Sequence, residues 1–483
     1  MRMTAWILSG VLLTGCAKTG AVDAGADQAR TTPEALEVRP FRLPAPETHT
    51  LSNGMKVVIL ENHEVPLFSV QLVLEVGSFL DPEGQEGLAS ATFDMLNEGA
   101  GDMDASEISR RLQQMGSSVN SGAGLDGASI SASGLVKHMD ATLDIWRSVV
   151  REPTFPAHDW SVLQKRTLAN IESERSDPNS VASRVLYQIL YDGKYAGRDP
   201  SLESVGSLDT GAMRSFYDTH MGPANAMLLV GGDVTADQVL PALEARIGDW
   251  ASDAKPTSAS GAPKAIDASV MYFIDEPGAS QSVIRTAQVI GTRLDEDYFD
   301  FDMASRAFGG SFVARINMNL REDKGYTYGA RCSASYRQGP GVWGCSTSVR
   351  ADATGASLAE IQREMAEALG GAEVERPLLE QEVTDAKNSV VYAYPARFET
   401  TGSLLGQQVS IQRYGLPSDW VETYVDKVRA VATDDANEAF RARIDPGHMI
   451  WLVVGDRASL YDEVAALGVP MVELDREGRP LAD

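Results

Sequence analysis

Residues 214–234 read RSFYDTHMGPANAMLLVGGDV, and residues 438–456 read EAFRARIDPGHMIWLVVGD. Each stretch passes from a predicted helix end through a proline, Pro223 or Pro446, into an apolar strand that closes with Gly-Asp. The proline and the aspartate lie ten residues apart in both stretches. This match indicates a duplication within one chain, which predicts two similar domains.

A second pair of segments supports the duplication. GASISASGLVKHMDATLDIWRSVV (127–150) and GVWGCSTSVRADATGASLAEIQREM (341–365) both show an alternating strand, a short turn and an amphipathic helix. Strands that precede runs of helices are typical of α+β domains. We therefore expect an α+β fold of two homologous domains, each an antiparallel sheet with helices packed on one face.

The domain boundary is predicted near the middle of the chain. SDAKPTSASGAPKA, residues 252–265, is rich in Pro, Ser, Ala and Gly and has no apolar periodicity, as in an interdomain linker. We expect a first domain over 45–251, a linker over 252–268 and a second domain over 269–483.

The chain has 483 residues, with 68 acidic and 42 basic residues, for a net charge of −26. A surface of this charge repels phosphate backbones, and the sequence has no Lys/Arg-rich run. These features argue against a nucleic-acid partner.

The N-terminus reads MRMTAWILSGVLLTGC, with one basic residue, a short apolar run and then LTGC. This is typical of a bacterial lipoprotein signal over residues 1–15, with Cys16 as the lipidated residue. An ordinary secretory signal with a chance cysteine is the alternative. Residues 16–44 are small and polar and predict a flexible tether. The predicted location is the cell envelope, at the periplasmic face of the outer membrane.

Cys332 and Cys345 flank a Gly-Pro-Gly turn between two strand-like runs. A hairpin centred near Gly339 places them nearly opposite each other, which favours a disulfide in an oxidising compartment. Two buried free thiols are the alternative.

Three segments of the first half, NGMKVVILENHEVP, VGSFLDPEGQEGLA and FYDTHMGPANAMLLVGGD, follow one another in an order that resembles the pitrilysin/insulinase family of zinc metallopeptidases. The resemblance is to its two-domain bacterial and mitochondrial-processing-type members. It implies a clamshell half: in the family, two such halves enclose a chamber with the zinc on one wall, and an Arg and a Tyr reach the substrate from the opposite wall.

In active family members the Gly-Leu-Ala helix continues as H-x-x-E-H, in which two histidines bind zinc and the glutamate activates water. The corresponding positions here are Ser90, Phe93 and Asp94, of which only Asp94 retains a carboxylate. Glu172 is the nearest candidate for the third ligand. The six histidines include no pair at helical spacing, so we expect no metal in this chain.

The segment FGGSFVARINMNLREDKGYTYGA, residues 308–330, resembles the part of the family that carries an Arg and, seven residues later, a Tyr. Here these are Arg321 and Tyr328, and the resemblance implies that they bind a peptide carbonyl and stabilise its oxyanion. It also implies a substrate-binding role for Gly309 and Gly310. Simple packing of the Arg and Tyr is the alternative.

The function predicted from these features is that of a zinc-less, non-catalytic subunit of a heteromeric metallopeptidase. Arg321 and Tyr328 would complete the active site of a homologous partner chain that carries H-x-x-E-H and the zinc, with a peptide or unfolded protein as substrate. The alternative is an inert scaffold or peptide-binding subunit of an envelope complex.

Overall fold

We describe a computed structural model of the chain that covers residues 46–259, 261–371 and 373–481. The predicted signal peptide, Cys16 and the predicted tether lie outside the described residues. Within the described part, no helix is both long and apolar enough to cross a bilayer.

The described residues of the first half form eight strands and eight α-helices. The strands are β1 (Glu47–Thr50), β2 (Lys56–Glu61), β3 (Leu67–Leu74), β4 (Gly99–Ala100), β5 (Met103–Asp104), β6 (Ser118–Ala123), β7 (Ala128–Leu135) and β8 (Ala226–Gly232). The helices are α1 (Leu88–Asp94), α2 (Ala105–Met115), α3 (Met139–Arg151), α4 (Ala157–Ser176), α5 (Pro178–Leu190), α6 (Leu202–Ser207), α7 (Thr210–His220) and α8 (Ala236–Ile247).

In the second half, two π-helical segments, Arg306–Gly310 and Met318–Asp323, interrupt the helices after α9 and α10. The strands are β9 (Val270–Asp275), β10 (Gln281–Ile290), β11 (Thr327–Ser335), β12 (Gly341–Arg350), β13 (Ile450–Gly455) and β14 (Met471–Leu474). The helices are α9 (Tyr298–Ser305), α10 (Arg315–Asn317), α11 (Thr354–Leu369), α12 (Glu380–Ala393), α13 (Thr401–Tyr414), α14 (Trp420–Ala430), α15 (Thr433–Arg443) and α16 (Arg457–Ala465).

Each half is built on a six-stranded sheet. The first has the order β1-β2-β8-β3-β7-β6 and the second β11-β12-β10-β13-β9-β14. The two stretches that reveal the duplication occupy equivalent places: β8 is parallel to β2 and antiparallel to β3, and β13 is parallel to β9 and antiparallel to β10. The α+β fold of two similar halves is confirmed.

Two details of the predicted architecture are wrong. The sheets are mixed rather than antiparallel, because β8 and β13 each return beside an earlier strand in the same direction. Helices also lie on both faces of each sheet. Leu405 of α13 packs on Val58 and Leu229 of the first sheet, and Val185 of α5 packs on the second. A helix of the opposite half therefore buries the second face of each sheet.

The other face of the first sheet carries its main core, to which α1, α3, α7 and α8 contribute Phe93, Trp146, Met213 and Leu243. The equivalent core of the second half is aromatic, with Phe308 and Trp343 packed around Phe440. Such contacts bury roughly 150–250 Å² for each aromatic side chain and dominate the packing energy.

The described residues between Trp250 and Val270 form no helix or strand, in keeping with the predicted linker. They are nevertheless tied to the first half. Thr257 donates to the carbonyl of Glu75 at 2.7 Å, and the N–H of Lys264 donates to that of Leu190 at 2.6 Å. The domain bounds proposed from the sequence stay predictions.

Candidate functional site

Helix α1 carries the degenerate zinc motif, and a buried aspartate fixes its start. Asp81 accepts hydrogen bonds from the N–H groups of Gly87 and Ala89, both at 2.8 Å. Gly87 has φ 100°, a left-handed conformation that glycine adopts without strain. Burial raises the pKa of Asp81 to about 6, although both N–H groups act to lower it. The start of α1 is thus held in place, although the zinc-motif positions on this helix are Ser90, Phe93 and Asp94.

Ser90 and Asp94 lie one helical turn apart on α1 and both line a cavity of about 600 Å³. Phe93, which stands where a general base is required, is 0% exposed within the core. Burial raises the pKa of Asp94, and the nearby Arg166 acts to lower it. A phenyl ring can neither activate water nor bind metal, so these three positions do not fit a catalytic zinc.

The rest of this cavity explains why no metal set forms. Its wall includes Glu174 on α4, whereas Glu172, the nearest candidate for a third ligand, is an exposed glutamate of the same helix and is not part of the wall. The wall also includes three arginines, Arg175, Arg184 and Arg337, beside a third acid, Asp199. No three His, Cys, Asp or Glu side chains of the described chain come together as a metal site.

Arg321 lies in the second π-helical segment and is not part of the wall of this cavity. Its Nε is 3.1 Å from Glu322 and its guanidinium stacks on Phe312, 4.6 Å from the ring centre. The same segment is anchored by Asn319, which donates to Glu360 at 2.9 Å and to Glu364 at 2.7 Å. The arginine is therefore presented from a fixed backbone.

Tyr328 lies in a β-bulge on β11, the edge strand of the second sheet. The pairing with β12 passes from Thr327–Val349 to Ala330–Thr347, which leaves one extra residue on β11. Bulges of this kind redirect a side chain and are frequent next to functional sites. The Tyr328 side chain is 87% exposed. An edge-strand tyrosine that serves only packing would be buried at least on one face, so this exposure argues against the packing alternative.

Asn317 connects the two predicted residues, and the sequence analysis missed it. Its side chain is fully buried, accepts from the N–H of Ala330 at 3.0 Å and donates to the carbonyl of Phe312 at 2.6 Å. One amide thus holds both the bulge that carries Tyr328 and the loop against which Arg321 stacks. Asn317 is one of three polar residues in VARINMNL, so nothing in the sequence distinguished it.

Exposed apolar side chains gather in the same short segment. Phe312, Val313, Met318 and Tyr328 are all exposed, at 47%, 60%, 37% and 87%. Contiguous exposed apolar surface on a soluble protein marks an interaction site. The surface formed by residues 312–328 is therefore a candidate contact surface.

The two glycines that were assigned to substrate binding differ in their surroundings. A Cβ on Gly309 would lie 2.5 Å from the backbone nitrogen of Cys332, so this buried glycine permits close packing on β11. Gly310 is exposed, and a Cβ there would meet only the Arg306 side chain, at 3.0 Å. The packing accounts for Gly309 without any ligand.

Cys332 and Cys345 lie directly opposite each other on β11 and β12 and are bonded as a disulfide, with their Cα atoms 3.9 Å apart. The bond ties the edge strand that carries Tyr328 to its neighbour.

Five strands of each sheet pair in the same order, β2-β8-β3-β7-β6 in the first and β9-β13-β10-β12-β11 in the second, and the outer strands β1 and β14 differ in direction. This arrangement places the chain in a class of α+β proteins with two similar domains. Residues 56–199 match the family Insulinase (Peptidase family M16), and residues 207–389 match Peptidase M16 inactive domain. The chain belongs to the M16 insulinase family.

Similar proteins agree with this assignment. A protein from Helicobacter pylori (strain ATCC 700392 / 26695), named non-peptidase homolog YmxG, is 20% identical over 85% of this chain and 94% of its own length. A crystal structure of a peptidase M16 inactive domain from Pseudomonas fluorescens has a TM-score of 0.76 and 24% identity, and covers 85% of this chain and 98% of that one. A crystal structure of a protease from Helicobacter pylori has a TM-score of 0.76 and 14% identity, over 85% of this chain and 100% of that one. Identities this low show the fold alone.

Proposed function

We propose that this chain is the non-catalytic subunit of a heteromeric M16-type zinc peptidase, and that Arg321 and Tyr328 complete the active site of a partner chain. The observation that carries the proposal is the 87% exposure of Tyr328 on a bulged edge strand, beside an arginine held against Phe312. The coarser statement, that the chain is an M16 homologue of the inactive type, rests on the family matches.

The chemistry of the two side chains suits the role. A guanidinium is a planar cation with five donors, and a phenol adds one donor on a rigid arm. Aimed at a scissile carbonyl, such donors stabilise the negative charge that develops on its oxygen. Neither residue lines the cavity around Ser90 and Asp94 of the same chain, which accords with a role toward a carbonyl bound on another chain.

The partner in this proposal is a homologous chain with H-x-x-E-H, and that chain holds the zinc that polarises the substrate carbonyl. The substrate is a peptide or an unfolded segment. The surface of residues 312–328 provides the contact, because its apolar side chains lose water when the partner covers them.

The location is part of the same proposal. The lipoprotein-type signal and Cys16 support a lipid anchor at the periplasmic face of the outer membrane. The Cys332–Cys345 disulfide accords with an oxidising compartment.

The decisive experiment compares peptide cleavage by each purified chain alone and by the mixture, after the co-purifying H-x-x-E-H chain has been identified. Arg321→Ala and Tyr328→Phe should each lower turnover of the mixture about 10²–10³-fold, the usual cost of one oxyanion donor. Matched controls are Arg441→Ala, an exposed arginine of the same half, and Tyr392→Phe, a tyrosine that is 52% exposed on α12. Both controls should cleave at the wild-type rate.

The assembly must be measured beside the activity. If both variants still bind the partner with unchanged affinity and cleavage is unaffected, the chain is an inert scaffold and the proposed role is refuted. If the isolated chain hydrolyses peptides with a stoichiometric zinc of its own, the in-trans arrangement is refuted as well.

A further inference from the structure

The second half holds a cavity that the degenerate zinc site and the Arg321–Tyr328 pair do not use. Its volume is about 260 Å³. Its wall is formed by residues of α9 and the segments on either side of it, of the turn after α12, of α13 and α14, and of the end of β11 with the turn that follows. A space of this size admits several waters or one small ligand, and it is below the roughly 300–1,000 Å³ of sites for drug-sized molecules.

The wall of this cavity is cationic. It contains Arg293, Arg306 and Arg397 against a single acid, Asp302, which gives a formal charge of +2 on a chain of net charge −26. Arg306 donates to Asp302 at 3.0 Å. Arg293 and Arg397 form no ion pair within the described chain, and the Nε of Arg293 is buried without a hydrogen-bond partner. Arg293 is half-buried and Arg397 is exposed, so the wall offers an anionic ligand two guanidinium groups that have no counter-charge of their own.

Aromatic rings hold these two arginines by their faces. Arg293 lies over Tyr298 and Trp420, at 5.8 and 5.6 Å, and Arg397 lies over Tyr394, at 5.7 Å. Stacking uses the face of a guanidinium and leaves its N–H donors, which lie in the plane, for an acceptor.

Tyrosine hydroxyls add neutral donors to the same wall. Burial raises the pKa of Tyr298 and Tyr336, so both stay protonated at physiological pH. The hydroxyl oxygen of Tyr336 is buried and has no hydrogen-bond partner. An unsatisfied buried hydroxyl costs about 1–3 kcal/mol, and an acceptor in the cavity removes that cost.

The three guanidinium groups all line this one cavity. Burial and the field of Asp302 raise the pKa of Tyr424 on α14, and the fields of Arg306, Arg397 and Arg293 act to lower it. Tyr424 also stacks on Tyr394, with ring centres 4.8 Å apart, and lies 6.1 Å from Trp420. The cations therefore surround one aromatic cluster at the cavity wall.

We propose that this cavity binds a small dianion of the phosphate class, as inorganic phosphate or as a phosphate monoester. Two negative charges match the formal +2 of the wall, and guanidinium forks bind phosphate oxygens in pairs. A cationic ligand does not fit, because the protein's own guanidinium groups already occupy the ring faces that would hold it. This inference is independent of Arg321 and Tyr328.

The test is isothermal titration of the full chain with inorganic phosphate, phenyl phosphate, succinate and acetate, together with thermal unfolding in each anion. We expect phosphate to bind and to raise Tm, since a ligand that binds only the folded state stabilises it. Phenyl phosphate that binds more tightly than phosphate assigns the site to a monoester, and the reverse order assigns it to the free ion. Tighter binding of succinate than of either phosphate compound overturns the assignment to phosphate.

Variants make the test specific. Arg397→Gln should weaken phosphate binding about 10-fold or more, the usual contribution of a hydrogen bond to a charged group, and Arg397→Lys should restore part of it. Tyr336→Phe removes only a hydroxyl, keeps the fold and should weaken binding by about 2–10-fold. Arg441→Gln, an exposed arginine outside the cavity, should have no effect. The proposal is overturned if millimolar phosphate neither binds nor raises Tm, or if Arg441→Gln weakens binding as much as Arg397→Gln.

Discussion

Replacing Phe93 by the glutamate of an active zinc motif should destabilise the chain severely rather than restore catalysis. The ring is 0% exposed and packs in the main core of the first half. Truncation of a buried phenylalanine costs about 3–5 kcal/mol, and total stabilities are about 5–15 kcal/mol. The glutamate recovers part of the lost packing through its methylenes but buries a carboxyl without a designed partner, which adds a cost of its own.

The pH dependence of this variant identifies the cause. Burial raises the pKa of a carboxyl, so the folded Phe93→Glu chain holds a proton that the unfolded chain, with a pKa near ~4.3, has lost. Stability must then fall as pH rises above that value, and lowering the pH from 8 to 5 should recover part of the loss. A packing defect alone would show no such recovery.

The assay is urea denaturation of Phe93→Glu beside the matched variant Asp94→His. Asp94 is exposed on the same helix, and exposed substitutions usually change stability by less than about 0.5 kcal/mol. We expect a large drop in the denaturation midpoint for Phe93→Glu and almost none for Asp94→His. Equal midpoints for the two variants would refute the reasoning, as would a Ser90→His, Phe93→Glu, Asp94→His chain that is stable and binds one zinc.

Three further predictions concern the second half and the start of α1. Asn317→Ala should lower turnover by the mixture of this chain and its proposed partner. Asn317→Asp keeps the acceptor for the N–H of Ala330 and should lower turnover less. Equal losses would contradict the role of Asn317 in positioning Tyr328. Reduction of Cys332–Cys345 should cost about 3 kcal/mol on the chain-entropy estimate for a closed loop of this length, measured by denaturation with and without reductant, and an unchanged midpoint would contradict it. Burial raises the pKa of Asp81 to about 6, so the folded chain keeps a proton that the unfolded chain loses near ~pH 4. The wild-type Tm should therefore fall, relative to that of Asp81→Asn, as the pH rises from about 4 to about 6. Parallel pH profiles of the two Tm values would show that Asp81 does not titrate in this range.

Local signals made the secondary structure of the sites predictable. Asp104 caps α2 and Gly116 ends it in the left-handed conformation, and Asp and Gly are residue types that favour these two positions. Alternation and helical periodicity placed the strand and helix pairs β7–α3 and β12–α11. These elements were readable because caps, turns and apolar spacing act over a few residues.

Other features arise between residues that are distant in sequence. Glu174 rather than Glu172 faces the cavity, because the rotation of α4 against α1 is set by packing and not by spacing along the chain. Asn317 reads as an ordinary polar residue until the fold places it between the bulge and the Phe312 loop. The arginines of the phosphate-class cavity come from separate elements and have no common motif.

The sequence by itself determined the duplication, the α+β class, the absence of H-x-x-E-H at Ser90, Phe93 and Asp94, and the spacing of Arg321 and Tyr328. Periodicity and residue identity are properties of the chain, so they survive without a structure. The parallel return of β8 and β13 and the exchange of helices between halves were decided only in three dimensions. So was the exposure of Tyr328. Each of these depends on which distant surfaces bury one another, and that choice minimises exposed apolar area over the whole chain rather than within any segment.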